Sequence, residues 1–193
     1  FAAMEKARLA KLAREWLEVE SRRAPFEVVA VEREGSFRIG NLELKGRIDR
    51  LDRLADGSHA VIDYKTGERV NPQDWSDPER GRPREPQLTI YATASAEPMG
   101  AVAFARVKAG KMRFAGFSRG KDVIPQVAIA RHWPGLLEGW QKGLARLAGD
   151  FEAGDARVDP RDGAATCRTC DLQTVCRVHE RFAFLDEAGG EPE

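Results

Sequence analysis

The chain has 193 residues, of which 42% are hydrophobic and 32% charged, which is enough for one globular domain with its own core. The 31 basic residues balance the 31 acidic ones, so net charge neither indicates nor excludes a nucleic-acid partner, because a local basic groove can bind one. No apolar run is long enough to cross a membrane and no signal peptide is recognised, so no membrane partner is expected. The chain begins with Phe1 inside a helix-like pattern, which predicts that it is a fragment of a longer protein.

The first third of the chain predicts one helix followed by several strands. Apolar residues at helical spacing in residues 1–22 predict an amphipathic helix. Strand-like segments follow, separated by turn signals at Gly40-Asn41 and at residues 55–58, and they cover residues 26–34, 36–54 and 59–66.

The remaining elements are two helices, a hairpin and a cysteine segment. Residues 68–86 are rich in charge, proline and glycine and predict an exposed, mobile loop. The stretch "EPQLTIYATAS" begins a helix, and the two apolar segments around Ala109-Gly110 predict a hairpin. Apolar residues every three or four positions predict a long helix over residues 123–151, broken or restarted near Pro134.

This order of elements predicts a mixed α/β (α+β) domain with helices packed around a central sheet. The predicted organisation has an N-terminal helix, a core, a cysteine-rich segment and a disordered tail, at residues 1–22, 23–152, 153–185 and 186–193.

Polar residues end the strand "HAVIDYKT". Because successive side chains alternate between faces, Asp63 and Lys65 share one face and Tyr64 takes the other. A strand end that reaches solvent would explain these three residues equally well. The preceding strand favours a metal site, because a three- or five-residue loop centred on Asp56, or a bulge, would place Asp49 directly opposite Asp63. A two-residue Asp-Gly hairpin would instead place Asp49 opposite Tyr64, on the wrong face. Opposed carboxylates destabilise a sheet unless a cation lies between them, and hard oxygen ligands favour Mg²⁺ or Mn²⁺.

Three motifs, "GRIDR", "DYKTG" and "QLTIY", occur in this order. With them the chain resembles the PD-(D/E)xK nuclease superfamily, and within it the RecB/AddB-like nuclease domains, over about residues 26–180. Those domains share a Gly-x-x-Asp-Arg strand, an Asp-x-Lys-Thr-Gly strand and a Gln-x-x-x-Tyr helix. The resemblance implies a restriction-endonuclease-like central mixed sheet flanked by helices, and metal-dependent hydrolysis of phosphodiester bonds in DNA.

The resemblance also implies site roles. Asp49 and Asp63 would ligate Mg²⁺ (or Mn²⁺), helped by the backbone carbonyl of Tyr64. Lys65 would orient or activate the attacking water and stabilise charge in the transition state.

Two further positions follow from the same resemblance. Gln87 and Tyr91 lie one helical turn apart and would stand beside the active site, although a core aromatic explains Tyr91 nearly as well. An upstream acidic residue would be Glu32, or else Glu27, although a solvent-facing glutamate at a strand end is the simpler interpretation of either.

The cysteines are confined to "CRTCDLQTVCRVH", where Cys167, Cys170 and Cys176 have C-x2-C-x5-C spacing. The spacing leaves open a Cys₃His zinc site completed by His179 and an iron–sulfur cluster with its fourth cysteine elsewhere. The resemblance implies a [4Fe-4S] cluster whose fourth ligand lies upstream of Phe1 and is absent here. The cluster is then expected to be incomplete or lost in this fragment, with nuclease activity impaired. A reducing, cytoplasmic location fits such a cluster of thiols.

The sequence therefore predicts a Mg²⁺-dependent DNA (exo)nuclease domain that acts in DNA end processing, repair or recombination, beside a helicase-like region or subunit. The alternative is a catalytically silent DNA-binding or scaffolding module of such a protein. The intact set of Asp49, Asp63 and Lys65 favours the enzyme. Predicted phosphate contacts are Arg47, Arg50, Arg53, Lys108, Lys111 and Arg113, with Arg80, Arg82 and Arg84 of the charged segment.

Overall fold

The structure, a computed structural model, describes residues 1–67, 70–76, 82–121, 123–168 and 170–177. The chain divides into two compact units, Phe1–Glu152 and Ala153–Glu193. None of the helices in the described ranges is long and apolar enough to span a bilayer.

The described residues of the first unit form three helices and six strands. The helices are α1 (Ala2–Glu20), α2 (Gln87–Ala94) and α3 (Trp133–Glu152), with a short 3₁₀ helix at Pro72–Trp75. The strands are β1 (Phe26–Ile39), β2 (Leu42–Leu54), β3 (His59–Lys65), β4 (Met99–Arg106), β5 (Arg113–Ser118) and β6 (Ala128–Ile129). In the second unit, the described residues contain two helices of four residues each, α4 (Ala164–Cys167) and α5 (Gln173–Cys176).

The six strands form one sheet in the order β1-β2-β3-β4-β5-β6. The β1–β2, β2–β3 and β4–β5 pairs are antiparallel, whereas β3–β4 and β5–β6 are parallel. The parallel β3–β4 pair requires a crossover, which contains α2. This mixed sheet flanked by helices confirms the predicted fold class.

Each face of the sheet packs against different helices. On β3, Val61 belongs to the cluster that includes Leu88 of α2 and Trp140 of α3. Its neighbour Ile62 belongs to the cluster that includes Trp16 of α1. Side chains alternate along a strand, so Asp63 and Lys65 share the face of Val61, on the α2 side. Tyr64 shares the face of Ile62, on the α1 side.

Part of the segment that the sequence predicts as an exposed loop is buried. Val70, Asp74 and Trp75 are 8%, 7% and 1% exposed, so the prediction is wrong at these positions. The indole of Trp75 packs against Phe104 of β4, with 4.8 Å between ring centroids. Burying this large ring outweighs the polar character of the flanking sequence. Residues 68, 69 and 77–81 lie outside the described residues.

Two predicted boundaries also change. The predicted strand at residues 26–34 continues to Ile39, where Gly40 makes the turn with φ +59°. The helix predicted over residues 123–151 begins only at Trp133, and the stretch before it contributes β6. Pro134 is accommodated because the first turn of a helix has no intrahelical partner for its backbone N–H groups. The predicted tail at residues 186–193 lies outside the described residues.

Candidate active site

A three-residue loop, Ala55–Gly57, joins β2 to β3. The backbone N–H of Leu54 donates to the carbonyl of Ser58 at 2.7 Å, and Gly57 has φ +82°. Asp56 stands at the middle of the loop and its Oδ1 accepts the backbone N–H of Ser58 at 2.9 Å. A glycine in the left-handed region is the usual way to close a three-residue hairpin loop. This is one of the two loop lengths that the opposition of Asp49 and Asp63 requires.

The register that follows is the one that the sequence predicts. Leu51 pairs with Val61, and Arg50 with Ile62 is the last pair of the ladder; the same register continued by one residue aligns Asp49 with Asp63. At this step the Oδ2 of Asp49 accepts a hydrogen bond of 2.9 Å from the backbone N–H of Tyr64. The strands therefore bring two carboxylates to one place on the α2 side of the sheet. Their roles in metal binding and catalysis stay predictions.

Asp63 is a buried carboxylate in contact with a lysine. Its residue is 4% exposed, and its Oδ2 lies 2.8 Å from the Nζ of Lys65. Burial raises the pKa of Asp63, Lys65 and Gln87 act to lower it, and the negative charge of Asp49 raises it further, with a net increase. Within the part of the chain that the structure describes, Oδ2 makes no well-directed hydrogen bond, so the contact with Lys65 is an ion pair.

This donor set fits a small divalent cation. Mg²⁺ is commonly held by one or two carboxylates and completes its octahedral shell with other oxygens, including water. No group of three or more His, Cys, Asp or Glu side chains could hold a metal ion among the described residues. A cation here would therefore take Asp49 and Asp63, together with main-chain oxygen, for which the carbonyl of Tyr64 is the predicted source.

The two residues predicted on helix α2 lie near different parts of the sheet: Gln87 near Asp63, and Tyr91 near Arg47. Gln87 is the first residue of the helix, and its side chain is near enough to Asp63 to act to lower the pKa of that carboxyl. Tyr91 is 6% exposed, lies against Phe37 with 4.6 Å between ring centroids, and donates its hydroxyl to the carbonyl of Arg47 at 2.9 Å. The structure thus favours the core alternative for Tyr91, which braces β2 two residues before Asp49.

Gly46 explains why Tyr91 can lie there. A Cβ at Gly46 would stand 2.8 Å from the Oη of Tyr91 and 3.0 Å from its Cε1. The glycine of the "GRIDR" motif and the tyrosine of the "QLTIY" motif are therefore packing partners.

The two candidate upstream glutamates are exposed and engaged elsewhere. The Oε2 of Glu32 lies 3.0 Å from the Nε of Arg47, and both side chains are about 60% exposed. Glu32 also has φ +47°, which is unusual for a residue other than glycine. Glu27 pairs with Arg53. The structure does not bring either glutamate to the two carboxylates.

Several predicted phosphate contacts are exposed, but one prediction is wrong. Lys111 and Arg113 are exposed, as are Arg47 and Arg53 with their acidic partners. Arg50, in contrast, is 9% exposed and faces the α1 side, where it binds Asp52. Arg82 and Arg84 are half-buried, Lys108 is half-buried, and Arg80 lies outside the described residues.

A buried group of charged side chains on the α1 side of the sheet was not predicted from the sequence. It contains Glu20 at the end of α1, Arg23, Arg50 and Asp52, all less than 10% exposed. The available signal was the alternation in "RIDRLDRL": Arg50 and Asp52 fall on the face opposite Asp49. A charge on each of two successive inward positions of a strand needs a buried partner.

The three cysteines differ in exposure: Cys167 is buried, Cys170 exposed and Cys176 half-buried. Among the described residues they do not form a group that could hold a metal ion. The backbone N–H of Cys170 donates to the carbonyl of Cys167 at 3.1 Å, so this pair closes a turn. As placed, the thiols do not fit either an iron–sulfur cluster or zinc, and His179, the predicted zinc ligand, lies outside the described residues.

Comparisons with known proteins identify the family. A solved structure that resembles the chain is the crystal structure of SSO0001, with a TM-score of 0.42 and 17% identity, over 89% of this chain and 70% of that chain. The comparison with curated proteins gives no match. The family model described as the PD-(D/E)XK nuclease superfamily matches residues 1–177. The chain therefore belongs to the PD-(D/E)XK nuclease superfamily.

Proposed function

We propose that the chain is the nuclease domain of a Mg²⁺- or Mn²⁺-dependent enzyme that hydrolyses phosphodiester bonds in DNA. The observation that carries the proposal is the strand register that opposes Asp49 and Asp63, with the Nζ of Lys65 2.8 Å from Asp63. Membership of the nuclease superfamily supports it. The raised pKa of Asp63 supports it too, because a carboxylate that is costly to ionise gains from a cation beside it.

Each residue of the site has a distinct task. Asp49 and Asp63 bind the cation, and Gln87, at the start of α2, favours the ionised form of the Asp63 carboxyl. A divalent cation bound there supplies Lewis-acid stabilisation of the charge on the phosphate oxygens. Lys65, with about one third of its side chain exposed, reaches the substrate side. Its ammonium group orients the attacking water and stabilises the negative charge that develops on the phosphate.

The finer assignment rests on the three motifs in order. "GRIDR", "DYKTG" and "QLTIY" are typical of RecB/AddB-like nuclease domains, so we place the chain in a longer protein with a helicase-like region or subunit. That protein would process DNA ends as an exonuclease in repair or recombination. Its [4Fe-4S] cluster would be held by Cys167, Cys170 and Cys176 together with a fourth cysteine that this chain does not contain.

The test is a digestion assay on linear, circular and single-stranded DNA, with Mg²⁺ and with EDTA, using this chain and the longer parent protein. We expect Asp63→Asn and Lys65→Ala to lower the Mg²⁺-dependent rate about 100-fold or more. Asp150→Asn, an exposed carboxylate on α3, is the matched control and should cleave at the wild-type rate.

Two outcomes would contradict the proposal. Undiminished cleavage by Asp63→Asn and Lys65→Ala in the parent protein would remove the activity from this site. DNA binding without cleavage by the parent protein would instead support the silent DNA-binding module. Protection of circular substrates would support the exonuclease assignment, and their cleavage would oppose it.

A further inference from the structure

A closed ring of four charged side chains lies on the α1 side of the sheet, behind the two carboxylates. The Nη1 of Arg23 is 3.0 Å from the Oε2 of Glu20 and 2.7 Å from the Oδ2 of Asp52. The Nη1 of Arg50 is 2.8 Å from the Oε1 of Glu20, and its Nε is 2.7 Å from the Oδ1 of Asp52. Each arginine therefore binds both acids, and the ring has no net charge.

The ring is buried, and each member depends on the others. The Arg23 and Asp52 side chains have no exposed surface, and those of Glu20 and Arg50 are 8% and 10% exposed. Burial by itself would lower the pKa of Arg50, but its hydrogen bonds to Asp52 and Tyr64 and their charges raise it. Such a ring is costly to desolvate and even more costly to break at one member, so it holds its groups in one arrangement.

The ring reaches the active-site strand through Tyr64. The Nη1 of Arg50 donates a hydrogen bond of 3.0 Å to the Oη of Tyr64. On the other side of the strand, the backbone N–H of Tyr64 donates to Asp49 at 2.9 Å. Tyr64 is thus held from both faces of the sheet, and it lies between Asp63 and Lys65 in the chain.

The position of this link matters because the paired part of β2 and β3 ends here. Arg50 and Ile62 form the last backbone pair of the two strands on this side. Beyond it, the described contacts that join the strands are the two hydrogen bonds to Tyr64, and the one on the carboxylate side uses a predicted metal ligand. On its other edge, this end of β3 stays paired with β4, as Tyr64 with Ala105 and Lys65 with Arg106. On the β2 side, the Arg50 bond is the one of these two contacts that remains when Asp49 turns to a cation.

We propose that Tyr64 is a positioning residue: the hydrogen bond from Arg50 to its hydroxyl ties the end of β3 to β2, so that Asp63 stays opposite Asp49 with Lys65 beside it. The inference deepens the proposed function and rests on it for its effect on rate. The hydroxyl of Tyr64 lies on the α1 side of the sheet against Arg50, on the face opposite the two carboxylates.

The test is Tyr64→Phe, which removes one hydroxyl and keeps the ring against Trp16. We expect kcat to fall about tenfold or more while KM for DNA changes less than about threefold, because groups that orient metal ligands typically contribute 10- to 100-fold. Mn²⁺ affinity, measured by calorimetric titration without DNA, should fall about tenfold. The control is Ile124→Val, a buried change in the α1-side cluster that leaves the ring intact and should alter neither quantity.

The Mn²⁺ titration separates this inference from the proposed function. Wild-type Mn²⁺ affinity in Tyr64→Phe overturns the inference, even if the wild-type protein cleaves DNA. Weaker Mn²⁺ binding by Tyr64→Phe, together with a parent protein that cleaves no DNA, supports the positioning role and overturns the proposed function. An equal loss of Mn²⁺ affinity in Ile124→Val would show that general destabilisation causes the loss in Tyr64→Phe. That result would also overturn the inference.

Discussion

Gly46→Ala tests the packing that joins β2 to α2 beside the active site. The added Cβ would meet the Oη of Tyr91 at 2.8 Å and its Cε1 at 3.0 Å, whereas carbon contacts are optimal at about 3.5–4.0 Å. Tyr91 cannot easily move aside, because its ring packs on Phe37 and its hydroxyl is bonded to Arg47. Overpacking of this kind costs roughly 1–3 kcal/mol.

An opposing effect reduces the net loss. Alanine restricts the unfolded chain more than glycine and so returns about 0.5–1 kcal/mol. The net destabilisation should be about 1–2 kcal/mol, or roughly 2–8 °C in the midpoint of thermal unfolding for a chain of this size. Gly149→Ala is the matched control: its Cβ meets nothing within 4 Å in α3, so it should stabilise the protein by up to about 1 kcal/mol.

The assay is urea unfolding of both variants and of the double variant Gly46→Ala/Tyr91→Phe. Tyr91→Phe alone should cost about 1 kcal/mol through its lost hydrogen bond to Arg47. If Oη is the atom that clashes, the double variant should be more stable than the sum of the single losses by about 0.5 kcal/mol or more. Wild-type stability of Gly46→Ala, or strict additivity, would refute the reasoning.

Three further predictions concern the carboxylate, the buried segment and the cysteines. Asp63→Asn should raise the midpoint of thermal unfolding in EDTA at neutral pH. The raised pKa of Asp63 means that its ionised carboxyl destabilises the folded state, and asparagine carries no charge. A lower midpoint would contradict this. Trp75→Ala should cost about 3–5 kcal/mol in urea unfolding, whereas an exposed loop residue would cost almost nothing. The parent protein, purified without oxygen, should be brown and contain iron and sulfide that Cys176→Ser loses; a colourless protein with one zinc per chain would refute the iron–sulfur assignment.

The opposition of Asp49 and Asp63 could be predicted because its determinants are local. Alternation along a strand fixes which residues share a face, and the loop around Asp56 fixes the register. The sequence does not distinguish a three-residue loop from a five-residue one. That choice did not affect the result, since both are centred on the same residue.

The alternation in "RIDRLDRL" places Arg50 and Asp52 on one face, but their partners Glu20 and Arg23 could not be predicted because they are distant in sequence. Arg50 in isolation is typical of a solvated strand arginine, and only the packing of α1 brings Glu20 to it. Trp75 is a similar case: its neighbours in the chain are charged, and its contact with Phe104 depends on how β4 joins the sheet. Both side chains are buried because of tertiary contacts, which the local sequence pattern does not indicate.

The most direct test of the account is a calorimetric titration of Mn²⁺ into the wild-type chain and into Asp49→Asn, Asp63→Asn and Glu32→Gln. One ion shared by Asp49 and Asp63 needs both carboxylates, so either aspartate variant alone should abolish the strongest Mn²⁺ site. Glu32→Gln should keep it, because Glu32 is exposed and paired with Arg47. Wild-type affinity in either aspartate variant would show that Asp49 and Asp63 do not share a metal ion.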